Sequence, residues 1–363
     1  MNRIDATRPD SPRLAGPGPH AVGVRTECLT TASRSLTIEV WYPAAPGTLP
    51  GGTYATLLRD GVTPVTLHGL AARDAEAAPG RWPLVVLSHG YPGNRFLMAH
   101  LGEALASRGY LVAAADHAGS TYDDQRPFGE TLLNRPLDQR FLLAALAGHP
   151  LADPGKAAII GYSMGGYGAL VTAGAALDPS MAAHELAPPG GALAVHCAPA
   201  APPATLRAVI AIGPWGNARG LWPEGAFGAI AVPVLVMAGS LDETSGYAAM
   251  RAIAEGARGA LLTFQNAGHN AAAPIPAPAE SHAVSPALGW APFLHYADAV
   301  WDTVRLNALA QHFAAAFLDL HLKGDARAAP LLDPATALFP EAGFAPGTGA
   351  GLRFEVFWGV RWG

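Results

Sequence analysis

The sequence predicts an α/β protein built on a mostly parallel, twisted β-sheet with helices on both faces. Short apolar runs such as residues 83–87, 157–160 and 232–237 alternate with helical stretches through the middle of the chain. This alternation is typical of parallel strands joined by crossover helices. Half of the 363 residues are hydrophobic and 14% are charged, which supplies a large core and argues against disorder.

The first part of the chain predicts a flexible lead followed by two edge strands. Residues 1–20 are polar and rich in proline. Apolar and polar residues alternate along residues 36–42, and with residues 22–29 they predict an antiparallel pair at one edge of the sheet. Residues 53–80 have no clear period, and we expect an insertion there with room for a short helix.

Strands and helices then alternate. The predicted strands are 83–87, 110–115, 157–160, 206–212, 232–237 and 260–264. One predicted helix begins near residue 94, and four others cover 137–147, 167–176, 245–257 and 301–322. Turn-rich segments follow several of these strands, and open parallel sheets bind ligands beyond the carboxyl ends of their strands. We therefore expect the functional site at that edge of the sheet.

The sequence is consistent with one domain over residues 21–325. Two stretches within it, residues 177–205 and 271–300, are rich in proline and too long to be ordinary connections, so we expect lid-like insertions. Residues 326–363 follow as a C-terminal extension.

Composition excludes several classes of function. The formal net charge of −5 gives no electrostatic footprint for nucleic acid. No segment reaches the ~20 apolar residues that span a bilayer, and the start of the chain lacks the apolar core of a signal peptide. With Met1 as the natural start, we expect a soluble cytoplasmic protein, whose oligomeric state the sequence does not indicate.

The sequence predicts neither a metal site nor a cofactor. Cys28 and Cys197 are the two cysteines, and they lie far apart in the chain and match no metal-ligand spacing. The simplest expectation is that both are unpaired buried thiols. A disulfide between them is the alternative.

Residues 161–165, Gly-Tyr-Ser-Met-Gly, lie between a predicted strand and a predicted helix. A serine at the apex of such a turn is held in a strained conformation with its hydroxyl clear of the sheet. Gly161 and Gly165 are expected because a β-carbon would collide with the neighbouring backbone. The pattern therefore predicts Ser163 as a nucleophile and the Met164 N–H as an oxyanion donor.

A serine nucleophile needs a base and a carboxylate that orients the base. Asp242 follows one predicted strand and His269 follows the next, which gives the chain order serine, acid, histidine. Glu243 is the alternative acid. His282 and His295, in the second insertion, are the alternative histidines.

The oxyanion hole needs a second backbone donor, and the loop after strand 83–87 places the Tyr91 N–H there, because the proline that follows has no N–H. Tyr91, His117 and Trp215 are the expected substrate-binding residues, since each lies near a strand end. Trp290 and Phe293 are further candidates for an apolar pocket wall.

Four motifs together resemble the α/β-hydrolase fold: residues 87–93, 161–166, 239–242 and 268–270. Within that fold, the chain resembles the dienelactone-hydrolase-like and platelet-activating-factor-acetylhydrolase-like esterases over roughly residues 20–325. Dienelactone hydrolases proper use a cysteine nucleophile, whereas this chain has Ser163. The related secreted enzymes carry export signals, and none is visible here.

The predicted function is hydrolysis of neutral, moderately hydrophobic, small-molecule carboxylic esters through an acyl-enzyme. No Arg or Lys lies inside a catalytic motif to require an anionic substrate. An amidase or peptidase and a polyester hydrolase would use the same triad and remain alternatives. A noncatalytic binding protein on this fold is a further alternative, although it would be expected to lack one of the three triad residues.

Overall fold

The computed structural model describes residues 1–357; residues 358–363, the end of the expected C-terminal extension, lie outside the described residues. The strands are β1 (Asn2–Arg3), β2 (Val22–Thr30), β3 (Ser35–Pro43), β4 (Thr53–Leu57), β5 (Pro64–His68), β6 (Ala72–Arg73), β7 (Trp82–Ser88), β8 (Leu111–Ala115), β9 (Ala152–Tyr162), β10 (Leu206–Ile212), β11 (Val234–Gly239), β12 (Ala260–Phe264) and β13 (Leu352–Val356). The α-helices are α1 (Ala99–Ala106), α2 (Phe128–Leu146), α3 (Met164–Thr172), α4 (Tyr247–Gly256) and α5 (Thr303–Lys323).

One sheet organises the described part of the chain. Its order is β13-β12-β11-β10-β9-β7-β8-β3-β2-β6. The six strands from β12 to β8 run parallel, while β3 pairs antiparallel with β8 and with β2. The predicted parallel sheet with an antiparallel N-terminal edge is therefore confirmed.

The sheet separates two hydrophobic cores, because alternate side chains of a strand point to opposite faces. In β7, Val85 and Leu87 belong to the core under α1 and α5, whereas Leu84 and Val86 belong to the core under α2, α3 and α4. These side chains are at most 2% exposed. A strand covered on both faces must be apolar throughout, which is why its sequence shows a continuous apolar run.

The prediction of a short helix within residues 53–80 is wrong. Three strands lie there instead, and β4 and β5 form a small second sheet with β1. Tyr54 anchors this sheet to the main body, because its hydroxyl donates to Glu103 Oε1 at 2.5 Å and accepts from Trp41 Nε1 at 2.9 Å. All three side chains are buried. Because their outer face is polar, these strands lack the continuous apolar run that marks a strand buried on both faces.

The N-terminal residues, expected as a flexible lead, contact the body of the protein at several points. β1 pairs with β5, and Ile4 is only 2% exposed. Farther along, the Gly16 N–H donates to Gln311 Oε1 at 3.1 Å. The polar sequence hid these contacts because most of them use backbone groups.

Helix α2 is longer than expected. The sequence predicts loop up to Pro136 and helix from residue 137, yet α2 begins at Phe128 and includes Pro136. The first insertion packs beside this helix, with Met181 and Leu193 buried and His196 Nε2 2.8 Å from Leu133 O. At the other edge of the sheet, β13 of the C-terminal extension pairs antiparallel with β12.

Both cysteines are free, as expected, but Cys28 is exposed on β2 rather than buried, while Cys197 is half-buried. Within residues 1–357, no helix combines the length and apolarity that crossing a membrane requires. Over the same residues, no group of three or more His, Cys, Asp or Glu side chains could hold a metal ion.

Candidate active site

Ser163 occupies the sharp turn between β9 and α3. Its φ of 52° lies in the left-handed region that side chains other than glycine rarely adopt. A β-carbon on Gly165 would lie 1.9 Å from Ser88 O, and one on Gly161 would lie 2.2 Å from Gly165 O. The turn thus needs glycine at both positions, as the sequence predicts, and it holds the serine at the carboxyl end of β9.

The structure brings the three candidate triad residues together. His269 Nε2 lies 2.9 Å from Ser163 Oγ, and His269 Nδ1 lies 2.8 Å from Asp242 Oδ2. A carboxylate can only accept, so Nδ1 carries the proton and Nε2 is left to accept the serine O–H. The other carboxylate oxygen, Asp242 Oδ1, accepts from Thr244 N and Ser245 N at 2.9 Å each. The adjacent Glu243 is exposed and takes no part in this arrangement.

A network of hydrogen bonds fixes the loop that carries His269. The Gly268 N–H donates to Asp298 Oδ2 at 2.7 Å, and Asn270 Nδ2 donates to the carbonyls of Leu294 and Ala297 at 3.0 and 2.8 Å. These bonds hold the loop on either side of His269 against the second insertion. The position of the histidine therefore depends on residues 271–300 as well as on β12.

The two alternative histidines lie elsewhere. His295 lines the cavity, but its Nε2 lies 3.0 Å from Tyr122 Oη, and burial lowers its pKa to about 3. His282 packs its ring 4.5 Å from that of Phe293. His269 is the histidine within hydrogen-bond distance of Ser163.

The two expected oxyanion donors flank the serine. Both Tyr91 and Met164 line the cavity with Ser163. In the described part of the chain, neither backbone N–H has a hydrogen-bond acceptor. A β-carbon on Gly90 would lie 3.4 Å from Ser163 Cβ, so the loop that ends in Tyr91 passes directly beside the nucleophile. This arrangement can bind a negative oxygen that develops next to the serine.

A buried arginine supports this loop from below. Arg135 is 1% exposed, and its guanidinium donates to the carbonyl of His89, to Gly90 O at 3.4 Å and to Ser120 Oγ at 2.6 Å. Burial lowers its pKa to about 9. Gly90 O and the Tyr91 N–H belong to the same peptide group, so Arg135 contacts the far end of the expected oxyanion donor. No sequence pattern points to this residue, because it precedes Pro136 in a segment expected to be loop.

His117, expected as a pocket wall, does not line the cavity. It is 1% exposed, with Nε2 2.9 Å from Ser88 Oγ and Nδ1 2.8 Å from Asp138 Oδ2. Gln139 Nε2 donates to the same Ser88 Oγ at 2.9 Å, and Arg34 pairs with Asp138. This second Ser-His-Asp set is sealed beneath the loop, since Ser88 has no exposed surface. It connects the end of β7 to α2.

The cavity above Ser163 has a volume of about 510 Å³. Tyr91 and Trp215 line it as expected, and Phe128 packs between them with ring centroids 5.1 Å from each. Trp290 also lines it, whereas Phe293 does not. The second insertion contributes to this wall; none of the lining residues comes from the first insertion, residues 177–205, so a lid role there has no support from the geometry.

The chain is similar to known proteins over part of its length. A family model described as the alpha/beta hydrolase fold matches residues 83–183. Two cutinases of Thermobifida alba are 37% identical over 86 residues and 28% identical over 158 residues, which are 24% and 44% of this chain. The matched segments span 28% and 42% of those cutinases, less than half of their length.

A solved structure matches nearly the whole chain. The ferulic acid esterase from Streptomyces cinnamoneus superposes with a TM-score of 0.64 and 23% identity, over 94% of this chain and 98% of that one. The family model and this structure establish the fold: the chain has the α/β-hydrolase fold, with a mostly parallel mixed sheet and helices on both sides.

Proposed function

We propose that this α/β-hydrolase-fold protein is a serine hydrolase of carboxylic esters. The observation that carries the proposal is the position of His269, which lies within 2.9 Å of a serine hydroxyl on one side and 2.8 Å of a buried carboxylate on the other. The local likeness to cutinases and the overall likeness to a ferulic acid esterase support ester hydrolysis as the reaction.

The proposed reaction has two steps. Ser163 Oγ attacks the ester carbonyl while His269 Nε2 takes its proton, and the same histidine then protonates the departing alcohol. Water, activated by His269, releases the acid from the acyl-enzyme. Asp242 holds the imidazole in the tautomer that this sequence of proton transfers requires and stabilises its positive charge.

The negative charge of the tetrahedral intermediate falls on the carbonyl oxygen. We assign its binding to the N–H groups of Tyr91 and Met164, whose unpaired state supports that role. The Met164 N–H is at the N-terminus of α3, where the helix dipole also favours negative charge. Each such donor is typically worth ~3–4 kcal/mol of activation free energy.

The aromatic lining from Tyr91, Phe128, Trp215 and Trp290 supports a moderately hydrophobic small ester as substrate. The cutinase matches favour a polyester as the second candidate. The narrower placement among dienelactone-hydrolase-like and acetylhydrolase-like esterases, and a cytoplasmic location, stay proposals.

The proposal is tested with 4-nitrophenyl esters of increasing acyl length, the matching 4-nitroanilides and a polyester film. We expect ester turnover that falls by about 10⁴-fold or more in the Ser163→Ala variant, and much slower anilide cleavage. Faster cleavage of anilides would make the protein an amidase, and preference for the film would make it a polyester hydrolase. Ester turnover that survives Ser163→Ala would overturn the proposed mechanism.

A further inference from the structure

Arg59 places a positive charge in the cavity. It lies in the loop between β4 and β5 and lines the same cavity as Ser163 and His269. It is more than half buried, and over residues 1–357 its guanidinium makes neither a hydrogen bond nor an ion pair. Tyr91, Trp290 and His295 line the cavity together with it.

Two acids, Asp60 next to it in sequence and Asp242 behind His269, are already hydrogen-bonded to other groups. The carboxylate of Asp60 accepts from Val62 N at 3.1 Å and from Thr63 N and Oγ1 at 2.9 and 2.6 Å, so it closes its own turn. Asp242 lies behind His269 with a fully buried side chain. Within the described residues, neither Asp nor Glu lines the cavity. The positive charge of Arg59 therefore faces the cavity uncompensated.

An unpaired guanidinium that has lost part of its water is costly, and a carboxylate offsets that cost best because it accepts two parallel N–H bonds. We propose that Arg59 binds a free carboxylate of the substrate, so that the preferred substrates are half-esters: small esters that carry an ionised carboxyl group apart from the scissile bond. This inference rests on the proposed function, and it replaces the neutral ester expected from the sequence with an anionic one.

The test compares two esters that differ in one charge, the 4-nitrophenyl ester of glutaric acid with its second carboxyl free and the same ester with that carboxyl methylated. The native protein should hydrolyse the free acid with at least about tenfold higher kcat/KM. Arg59→Gln should remove that preference, because kcat/KM should fall at least about tenfold for the free acid and by less for the methylated ester. Arg207→Gln is the matched control, since Arg207 is exposed at the opposite end of β10.

A binding measurement separates this inference from the proposed function. In the Ser163→Ala background, tryptophan fluorescence is titrated with monomethyl glutarate and with dimethyl glutarate, since Trp215 and Trp290 line the cavity. Tighter binding of the monoanion that Arg59→Gln abolishes would support the carboxylate site even without turnover. Equal binding of the two ligands, or equal losses for both in Arg59→Gln, would overturn it while leaving ester hydrolysis through Ser163 intact.

Discussion

Asp242 contacts His269 and does not touch Ser163. Its side chain is fully buried, and three hydrogen bonds, from the His269 imidazole and two backbone N–H groups, account for its oxygens. A carboxylate held so firmly can fix one tautomer of the imidazole. Its contribution should therefore appear in the rate of the chemical step rather than in substrate binding.

We predict that Asp242→Asn lowers kcat by about 10⁴-fold with little change in KM, because an amide can donate to Nδ1 and stabilise the wrong tautomer. Steady-state kinetics on a 4-nitrophenyl ester measure both constants. The neighbouring Glu243→Gln, an exposed position with the same chemical change, should leave kcat within about twofold. An equal effect of the two substitutions would refute the assignment of the acid.

At the scale of single residues, the sequence predicts a site residue when a short turn after a strand determines its position. Ser163, Asp242 and His269 each follow a strand in a short turn, and chain order alone pairs them. Arg59 gave no such signal, because an isolated arginine in a segment without periodicity resembles any surface residue. His117 was misassigned for a related reason: its place at a strand end is visible in sequence, whereas the burial that separates it from the cavity is not.

At the scale of elements, α2 and the loop after β7 act together. The helix supplies Arg135 and Gln139, which hold the carbonyls of His89 and Gly90 and the Ser88 hydroxyl. The peptide that offers the Tyr91 N–H is thereby hydrogen-bonded to a buried cation at its carbonyl end. A donor to the carbonyl polarises that peptide and strengthens its N–H as a donor.

We predict that Arg135→Met lowers kcat at least about tenfold with a smaller change in KM, because the proposed oxyanion donor, the Tyr91 N–H, loses both position and polarisation. Binding of a trifluoromethyl ketone, which mimics the tetrahedral intermediate, should weaken in parallel with kcat. Arg140→Met, on the same helix but bonded to the carbonyls of Ala201 and Thr172, should change neither value. A folded Arg135→Met protein with native kcat would contradict the proposed role.

The elements that sequence missed share a physical cause. Strands β4 and β5 lie in a small sheet with polar residues outward, so they lack the continuous apolar run that marks strands buried on both faces. In α2, Pro136 led to a predicted helix that begins only at residue 137, whereas the observed helix begins at Phe128 and contains the proline. Both errors arise where tertiary packing outweighs local preference.

At the scale of the molecule, the order of the sheet assembles the candidate site. Strands β12, β11, β10, β9 and β7 are neighbours and parallel, so the turns after them share one edge. That much of the site follows from the sequence, because apolar runs and crossover helices fix strand direction. The cavity walls do not follow, since residues 53–80 and 271–300 have no period that would place Arg59 or Trp290 over the edge.

Ser163 is the proposed nucleophile, and the second Ser-His-Asp set around Ser88 offers an internal control. The most direct measurement is labelling with a fluorophosphonate probe, followed by mass spectrometry of the modified peptide, on the native protein and on the Ser163→Ala and Ser88→Ala variants. We predict one adduct on Ser163, its loss in Ser163→Ala and its retention in Ser88→Ala. An adduct on Ser88, or undiminished labelling of Ser163→Ala, would rule out Ser163 as the nucleophile.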